Sequence, residues 1–272
     1  MSAPSRLDLG PRTPLSGLQR VAGVLGYFTT VWRRTWQSTV FSRFVTPIFF
    51  LAAMGLGVGQ LVDATSGGVG GIPYLQFVVP GMVMASVMQW AASESTWPVM
   101  TLIKWNQMYA AMLATPLGVI DVLVGHWVMI TAGLVWGAGV FTLIAALLGG
   151  VASWWAWLVL PIAALMGLAF VAPLFALAAI AESDEKFTTV FRLVVTPLML
   201  FSGTFFPIEQ LPSVLQWIAK VTPLWHGTEL ARPAFLGDPW RDGWLTHIAV
   251  LTAYVLGFGV LAYRRLTRRL VT

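Results

Sequence analysis

Residues 154–181 read WWAWLVLPIAALMGLAFVAPLFALAAIA. The stretch carries no charged side chain and exceeds the roughly 20 apolar residues that a helix needs to cross a bilayer core. It predicts a membrane-spanning helix, with Trp154, Trp155 and Trp157 as an interfacial aromatic anchor. Outward from it lie five further apolar stretches, at 44–62, 74–93, 118–147, 187–206 and 244–263. Pro47, Pro80, Pro173 and Pro197 fall inside these six spans. Membrane helices accept such prolines when neighbouring groups take up the freed carbonyls.

Composition points the same way. Of 272 residues, 57% are apolar and only 10% are charged, and the mean hydropathy is +0.78. A soluble domain carries about 25% charged residues, so this chain cannot coat a water-facing surface. A net charge of +5 on a soluble domain would raise nucleic acid as a partner. Here the basic residues border apolar runs, which is the pattern of orientation signals. Nucleic acid is excluded on that ground. The absence of Cys excludes disulfides, thiolate metal sites and cysteine nucleophiles.

With the N-terminus in the cytoplasm, thirteen of the sixteen Lys and Arg face inward. They are Arg6, Arg12, Arg20, Arg33, Arg34, Arg43, Lys104, Lys186, Arg192, Arg264, Arg265, Arg268 and Arg269. Only Lys220, Arg232 and Arg241 face outward. Six spans and this bias agree in placing both termini in the cytoplasm. Residues 1–22 are polar, contain Pro4, Pro11 and Pro14, and lack the apolar core of a signal peptide. They read as a cytoplasmic tail, followed by one membrane domain over 24–272. Within 24–41, Phe28, Trp32 and Trp36 share one helical face, with Arg33 and Arg34 off it. That suits an amphipathic helix in the inner headgroup plane, or a plain extension of the first span.

Two connections are too long for simple turns: an inner one at 97–117 and an outer one at 207–243. In the outer one, Ser213 to Val221 predicts a short helix ended before Pro223. Both segments predict short apolar helices that re-enter the membrane or lie on its face. The fold class is therefore an all-α integral membrane protein with six spans.

The residues of hydrolytic chemistry are missing. His126, His226 and His247 are scattered, with no HExxH spacing. There is no GxSxG and no GxxxxGK[ST] phosphate loop. No catalytic residue, metal site or cofactor is expected in this chain. Glu94, Asp121 and Arg192 sit at the inner ends of spans. They read either as a charge network at the mouth of a path, with Arg192 reaching Glu94 or Asp121, or as helix-capping groups at headgroup depth. The span middles carry no acids for a proton relay, so a driving reaction would lie in another subunit.

Four stretches resemble a family. They are Tyr74-Leu-Gln-Phe-Val-Val-Pro-Gly81, Met108-Tyr-Ala-Ala-Met-Leu-Ala-Thr-Pro-Leu117, Leu193 through Ile208 with Leu211-Pro212, and Pro223-Leu-Trp-His226 followed by Leu230 and Arg232. Over about residues 25 to 265 the chain resembles the permeases of type-2 ABC exporters. The nearest likeness is to the nodulation lipo-chitooligosaccharide and daunorubicin-resistance classes. The resemblance implies a permease dimer served by two ATP-binding subunits that hold the ATP and Mg. It implies a coupling helix in 97–117, docked on the ATPase, and outer re-entrant helices closing the far side. Relatives often carry an acid after the aromatic residue of the coupling motif, whereas Tyr109 is followed by Ala110. The ATPase contact then falls to Lys104, Asn106, Gln107, Tyr109 and Leu113.

The expected function is that of the membrane subunit of an ATP-driven exporter in a bacterial inner membrane. Its cargo would be amphiphilic: a glycolipid, a lipid-linked saccharide or a hydrophobic drug. A membrane-embedded transferase acting on lipid-linked substrates is the alternative, and it would need a deep polar cluster. An outer gate is expected at Ser202, Gly203, Phe205, Phe206 and Pro207. Pro207 should break the fifth span, and the two Phe form either an apolar plug or interfacial anchors.

Overall fold

The computed structural model describes residues 16–271. Most of the tail read at 1–22 lies outside the described residues, as do the side chains of Arg43 and Pro47. The helix begins inside that tail. Ser16 caps α1 (Gly17–Ala52): its hydroxyl accepts from the Gln19 amide while the Gln19 side chain takes the Ser16 amide. This satisfies two donors that a helix start leaves open.

Beyond Ala52 the helix continues through a π-helical stretch, Ala53–Gly59, into α2 (Gln60–Ser66). The amphipathic segment at 24–41 and the span at 44–62 are thus parts of one unbroken helical run. Gly67 ends it with φ +67, a left-handed geometry that glycine adopts without penalty. Of the aromatic stripe, Phe28 is buried with its ring stacked on His126, whereas Trp32 and Trp36 stay exposed.

The remaining helices follow in order. They are α3 (Tyr74–Glu94), α4 (Trp97–Met100), α5 (Met108–Leu113), α6 (Val119–Leu147) and α7 (Val159–Ala178). After them come α8 (Glu185–Val190), α9 (Thr196–Phe201), α10 (Ser213–Val221), α11 (Pro223–Leu236) and α12 (Trp244–Val271). Among the described residues there is no strand. Among the described residues, five stretches are long and apolar enough to cross a membrane: Ile48–Ser66, Tyr74–Trp105, Val119–Leu147, Trp154–Ala178 and Trp244–Val271.

The stretch expected to span at 187–206 differs. Helix runs from α8 through π-helical Phe191–Val195 to the end of α9 at Phe201, short of the roughly 20 residues of a full crossing. The break comes before Pro207. Ser202 leaves helical geometry and Gly203 takes φ +76, so glycine ends the helix where proline was expected to.

Helix α3 is the centre of the bundle and packs against α6, α7 and α11. Its spanning stretch is 72% buried, against 12% for Ile48–Ser66 and 11% for Trp244–Val271. Glycine allows the close packing here: a Cβ at Gly227 of α11 would lie 2.6 Å from Met166 of α7 and 3.4 Å from Met84 of α3.

Cross-contacts define two ends. At the proximal end Arg20 of α1 meets Asp121 of α6, Lys104 meets the chain after α7, and Arg265 of α12 meets Ala176 of α7. At the distal end Asp63 of α2 accepts from the Tyr74 amide, Trp155 packs on Trp240, and Tyr254 donates to the Val221 carbonyl. Both described chain ends and the 97–117 connection therefore share the proximal end.

Candidate functional site

The 97–117 connection folds as an elbow. Helix continues from α4 through π-helical Thr101–Trp105, and the chain reverses at Gln107. Gln107 has φ +47, the one positive value at a non-glycine among the described residues. Such a geometry is uncommon outside glycine and sets α5 off at an angle. Lys104, Trp105, Asn106 and Gln107 are exposed on this elbow, Leu113 is half-buried and Tyr109 is wholly buried.

Tyr109 therefore points into the bundle, away from any surface that a docked subunit would meet. Its hydroxyl lies 2.5 Å from Nδ1 of His126 on α6. Burial, with Tyr27 adding to it, raises the hydroxyl well above its ordinary pKa, so it keeps its proton. The His126 ring stacks on Phe28 of α1 at 4.2 Å and meets the edge of Phe175 of α7 at 5.7 Å. One imidazole thus joins the elbow to α1, α6 and α7. Neither Tyr109–His126 nor its aromatic surround was expected from the sequence. The isolated His126 among apolar residues was the available signal.

Of the three charges read at the inner mouth, Asp121 is fully engaged. It accepts from its own Gly118 amide at 2.8 Å and pairs with Arg20 at 3.1 Å. Capping of α6 explains its place. Arg192 is exposed and makes no ion pair among the described residues. Among the described residues no ion pair joins it to Glu94 or Asp121. The reason is local: Asp121 already has Arg20 beside it. Glu94 is half-buried and lines a cavity of about 160 Å³ with Phe28, Trp32 and His126. Lys104 donates to the Glu182 carbonyl at 2.7 Å.

The distal end is built around Arg232 of α11. Its Nη2 donates to the Gly203 carbonyl at 2.5 Å and its Nε to the Phe77 carbonyl at 3.4 Å. The guanidinium lies 4.2 Å over the Phe77 ring and pairs with Glu229 at 3.6 Å. Burial raises the Glu229 carboxyl and lowers the Arg232 guanidinium, and each partner opposes the shift of the other. In the sequence Arg232 stands as an outward charge and as the end of the fourth family-like stretch. Here it clamps the turn that ends α9.

That turn is wedged against α3. A Cβ at Gly81 would come within 2.8 Å of the Thr204 backbone. The close approach lies at Gly81, with Gly203 supplying the turn. Ser202, Gly203 and Thr204 are buried, and Phe205, Phe206 and Pro207 are half-buried. Phe205 lies 6.0 Å from Phe50 and lines a cavity of about 130 Å³ with Met82, Gln89 and Met199. Nearby, Nδ1 of His226 on α11 and Nδ1 of His247 on α12 are 2.7 Å apart. Burial first, and then His247, lowers His226 to about 4. Helix α10 shows an apolar face outward, with Val214, Trp217, Ile218 and Val221 all exposed. Among the described residues no group of acids and histidines is placed to hold a metal.

Residues 24–236 match the description of the ABC-2 type transporter domain. The chain belongs to this family. It is 34% identical over 243 residues to Nodulation protein J of Rhizobium leguminosarum bv. trifolii, covering 88% of this chain and 90% of that protein. Nodulation protein J of Neorhizobium galegae is 32% identical over 264 residues, covering 93% and 96%. The inner membrane transport permease YadH of Escherichia coli K12 is 24% identical over 246 residues, covering 86% and 90%. This ABC-2 chain is a multi-pass membrane transporter permease, and the resemblance read from its motifs holds.

Proposed function

We propose that this chain is the membrane half of an ATP-driven exporter of an amphiphilic cargo, of the glycolipid or lipid-linked saccharide class, in a bacterial inner membrane. Two copies would work with two ATPase subunits that supply ATP and Mg. The proximal end would face the cytoplasm, with the Glu185–Phe201 run completing a sixth crossing. The observation that carries this reading is the elbow at 101–113. It offers exposed Lys104, Asn106 and Gln107 to a partner, while Tyr109 hands the resulting motion to His126 and so to α1, α6 and α7. At the distal end the Arg232 clamp would hold the 202–207 turn shut until α3 and α11 shift. The Phe205-lined cavity would then belong to the wall of the path. The resemblance of the four motif stretches to lipo-chitooligosaccharide exporter permeases supports a lipooligosaccharide-like cargo.

Reconstitution with the cognate ATP-binding subunit tests this. The purified chain alone should hydrolyse no ATP, and the complex should hold two copies of each subunit. Lys104→Ala with Tyr109→Ala should leave ATP binding intact and uncouple hydrolysis from cargo movement. Because the chain has no Cys, topology can be read directly. Ser66→Cys and Ser213→Cys should react with an impermeant thiol reagent in intact cells, and Gln107→Cys only after permeabilisation. ATP hydrolysis by the isolated chain, or labelling of Gln107→Cys in intact cells, would refute the arrangement.

A further inference from the structure

A row of indoles crosses the distal end of the bundle. Trp154 and Trp155 come from the single turn of helix Trp154–Leu158 that precedes α7. Trp240 and Trp244 come from the connection between α11 and the start of α12. Successive ring centroids lie 4.1 Å apart from Trp154 to Trp155, 6.2 Å from Trp155 to Trp240 and 5.1 Å from Trp240 to Trp244. The two segments are distant in sequence and are seated on each other. Gly237 takes φ +100 at the end of α11, and a Cβ there would lie 3.6 Å from Ser153. The Ser153 hydroxyl in turn accepts from the Trp155 amide. The fold builds the row in advance, which spares a ligand the cost of ordering it.

Interfacial anchoring accounts for indoles spread singly around a membrane perimeter. Trp157 fits that role: it is exposed and makes no ring contact among the described residues. A row of touching rings is a different arrangement. Trp154 stays 69% exposed and Trp240 56% exposed in spite of their neighbours. Interplanar angles of 31°, 72° and 66° along the row give it both ring faces and ring edges. Among the described residues the indole N–H groups of these four Trp have no hydrogen-bond partner, so they are open donors.

Charge narrows the ligand. Asp238 and Asp242 flank Trp240, and both are exposed without an ion pair among the described residues. The charge of Arg241 acts on the Glu229 carboxyl of α11. Carboxylate oxygens accept strong hydrogen bonds from hydroxyls and repel anionic groups such as headgroup phosphates. Ring faces, N–H donors and carboxylate acceptors in one row complement a neutral pyranose chain. Its C–H faces pack on indoles by dispersion, while its hydroxyls donate to the carboxylates and accept from the indoles. We propose that Trp154, Trp155, Trp240 and Trp244, with Asp238 and Asp242, form a binding site for a neutral oligosaccharide on the distal face. The site rests on the export reading in one respect: it would receive the saccharide part of the cargo as that part leaves the path.

The test uses the full chain in nanodiscs of dioleoyl phosphatidylcholine, a lipid without net charge. N-acetylchitotetraose, a neutral β-linked chain, and tetragalacturonate, an anionic one, are titrated and followed by saturation-transfer NMR against empty nanodiscs. The neutral chain should bind saturably, with transfer to its ring C–H protons, and about fivefold more tightly than the anionic one. Trp240→Ala should weaken it by about fivefold. Trp154→Gln, at the exposed end of the row, should weaken it by about threefold and serves if Trp240→Ala does not assemble. Asp238→Asn with Asp242→Asn should abolish the preference for the neutral chain, and Trp157→Phe should leave binding unchanged. Binding no greater than to empty nanodiscs, or equal losses in Trp157→Phe and Trp240→Ala, leaves the row an interfacial anchor and overturns the site. The assay involves neither ATP nor transport, so failure of the site and failure of the export reading are told apart.

Discussion

The two ends of the bundle both bury polar side chains, but they hold them differently. At the proximal end the junction is a pair of rings, Tyr109 on His126, packed between Phe28 and Phe175. Its charges lie at the edge, with Arg20 still 39% exposed in its pair with Asp121. At the distal end a cation is itself buried: Arg232 is 14% exposed and grips two backbone carbonyls. A neutral ring pair can slide or tilt at small cost, because its net hydrogen-bond energy is about 1 kcal/mol. Removing one partner from a buried charged clamp costs about 3–5 kcal/mol. The proximal end is therefore suited to passing motion and the distal end to resisting it.

Arg232→Ala should give the largest effect. Loss of the clamp should destabilise the fold by about 3 kcal/mol, seen as a lower thermal unfolding midpoint in lipid nanodiscs. Arg232→Lys should recover only part of this, since an ammonium lacks the planar fork that reaches two carbonyls. If Arg232→Ala unfolds like the parent chain, the contrast between the ends fails.

Acid should loosen the distal end. The His226 value lies below the ordinary 6.5, so the fold favours the neutral ring. Its contribution is complete above about 6.5, falls as pH drops towards about 4, and is flat below that. His247, Trp225 and the Lys220 backbone are the groups around it. Unfolding followed from pH 7 to 4 should show this slope, and His226→Gln should reduce it.

Gly81→Ala should come next. Its Cβ would press on the Thr204 backbone at 2.8 Å, and overpacking of this kind costs about 2 kcal/mol. Chemical labelling of a cysteine placed at Phe206 should rise as the turn is pushed from α3.

Tyr109→Phe should cost about 1 kcal/mol in stability, yet should weaken ATP-coupled transport more than that figure suggests, because it cuts the elbow from α6. An equal loss in Tyr109→Phe and in a packing variant such as Met112→Ala would leave no special role for the hydroxyl. Smallest of all, Asp121→Asn keeps an acceptor for the Gly118 amide and loses only the half-exposed pair with Arg20. About 0.5 kcal/mol is expected, read as a slight shift of the midpoint that salt abolishes.

Hydropathy by itself determined the membrane class and the positions of five spanning stretches. These are properties of contiguous stretches, since lipid forces each crossing to be apolar along its whole length. The short helix at Ser213–Val221 was legible for a related reason: proline brackets it and its apolar residues recur at helical spacing. The pairings were not legible. Tyr109 reads as a surface contact until the reversal at Gln107 turns its ring towards His126. Arg232 reads as a loop charge until α11 folds back against α3 and brings it to Phe77 and Gly203. The fifth span reads as reaching 206 because its residues stay apolar, while its true end depends on a left-handed glycine held by that same arginine. Each of these joins residues far apart in the chain through the rotation of one helix against another. Only the packed bundle decides that rotation, because it is set by which small residues let two backbones close on each other.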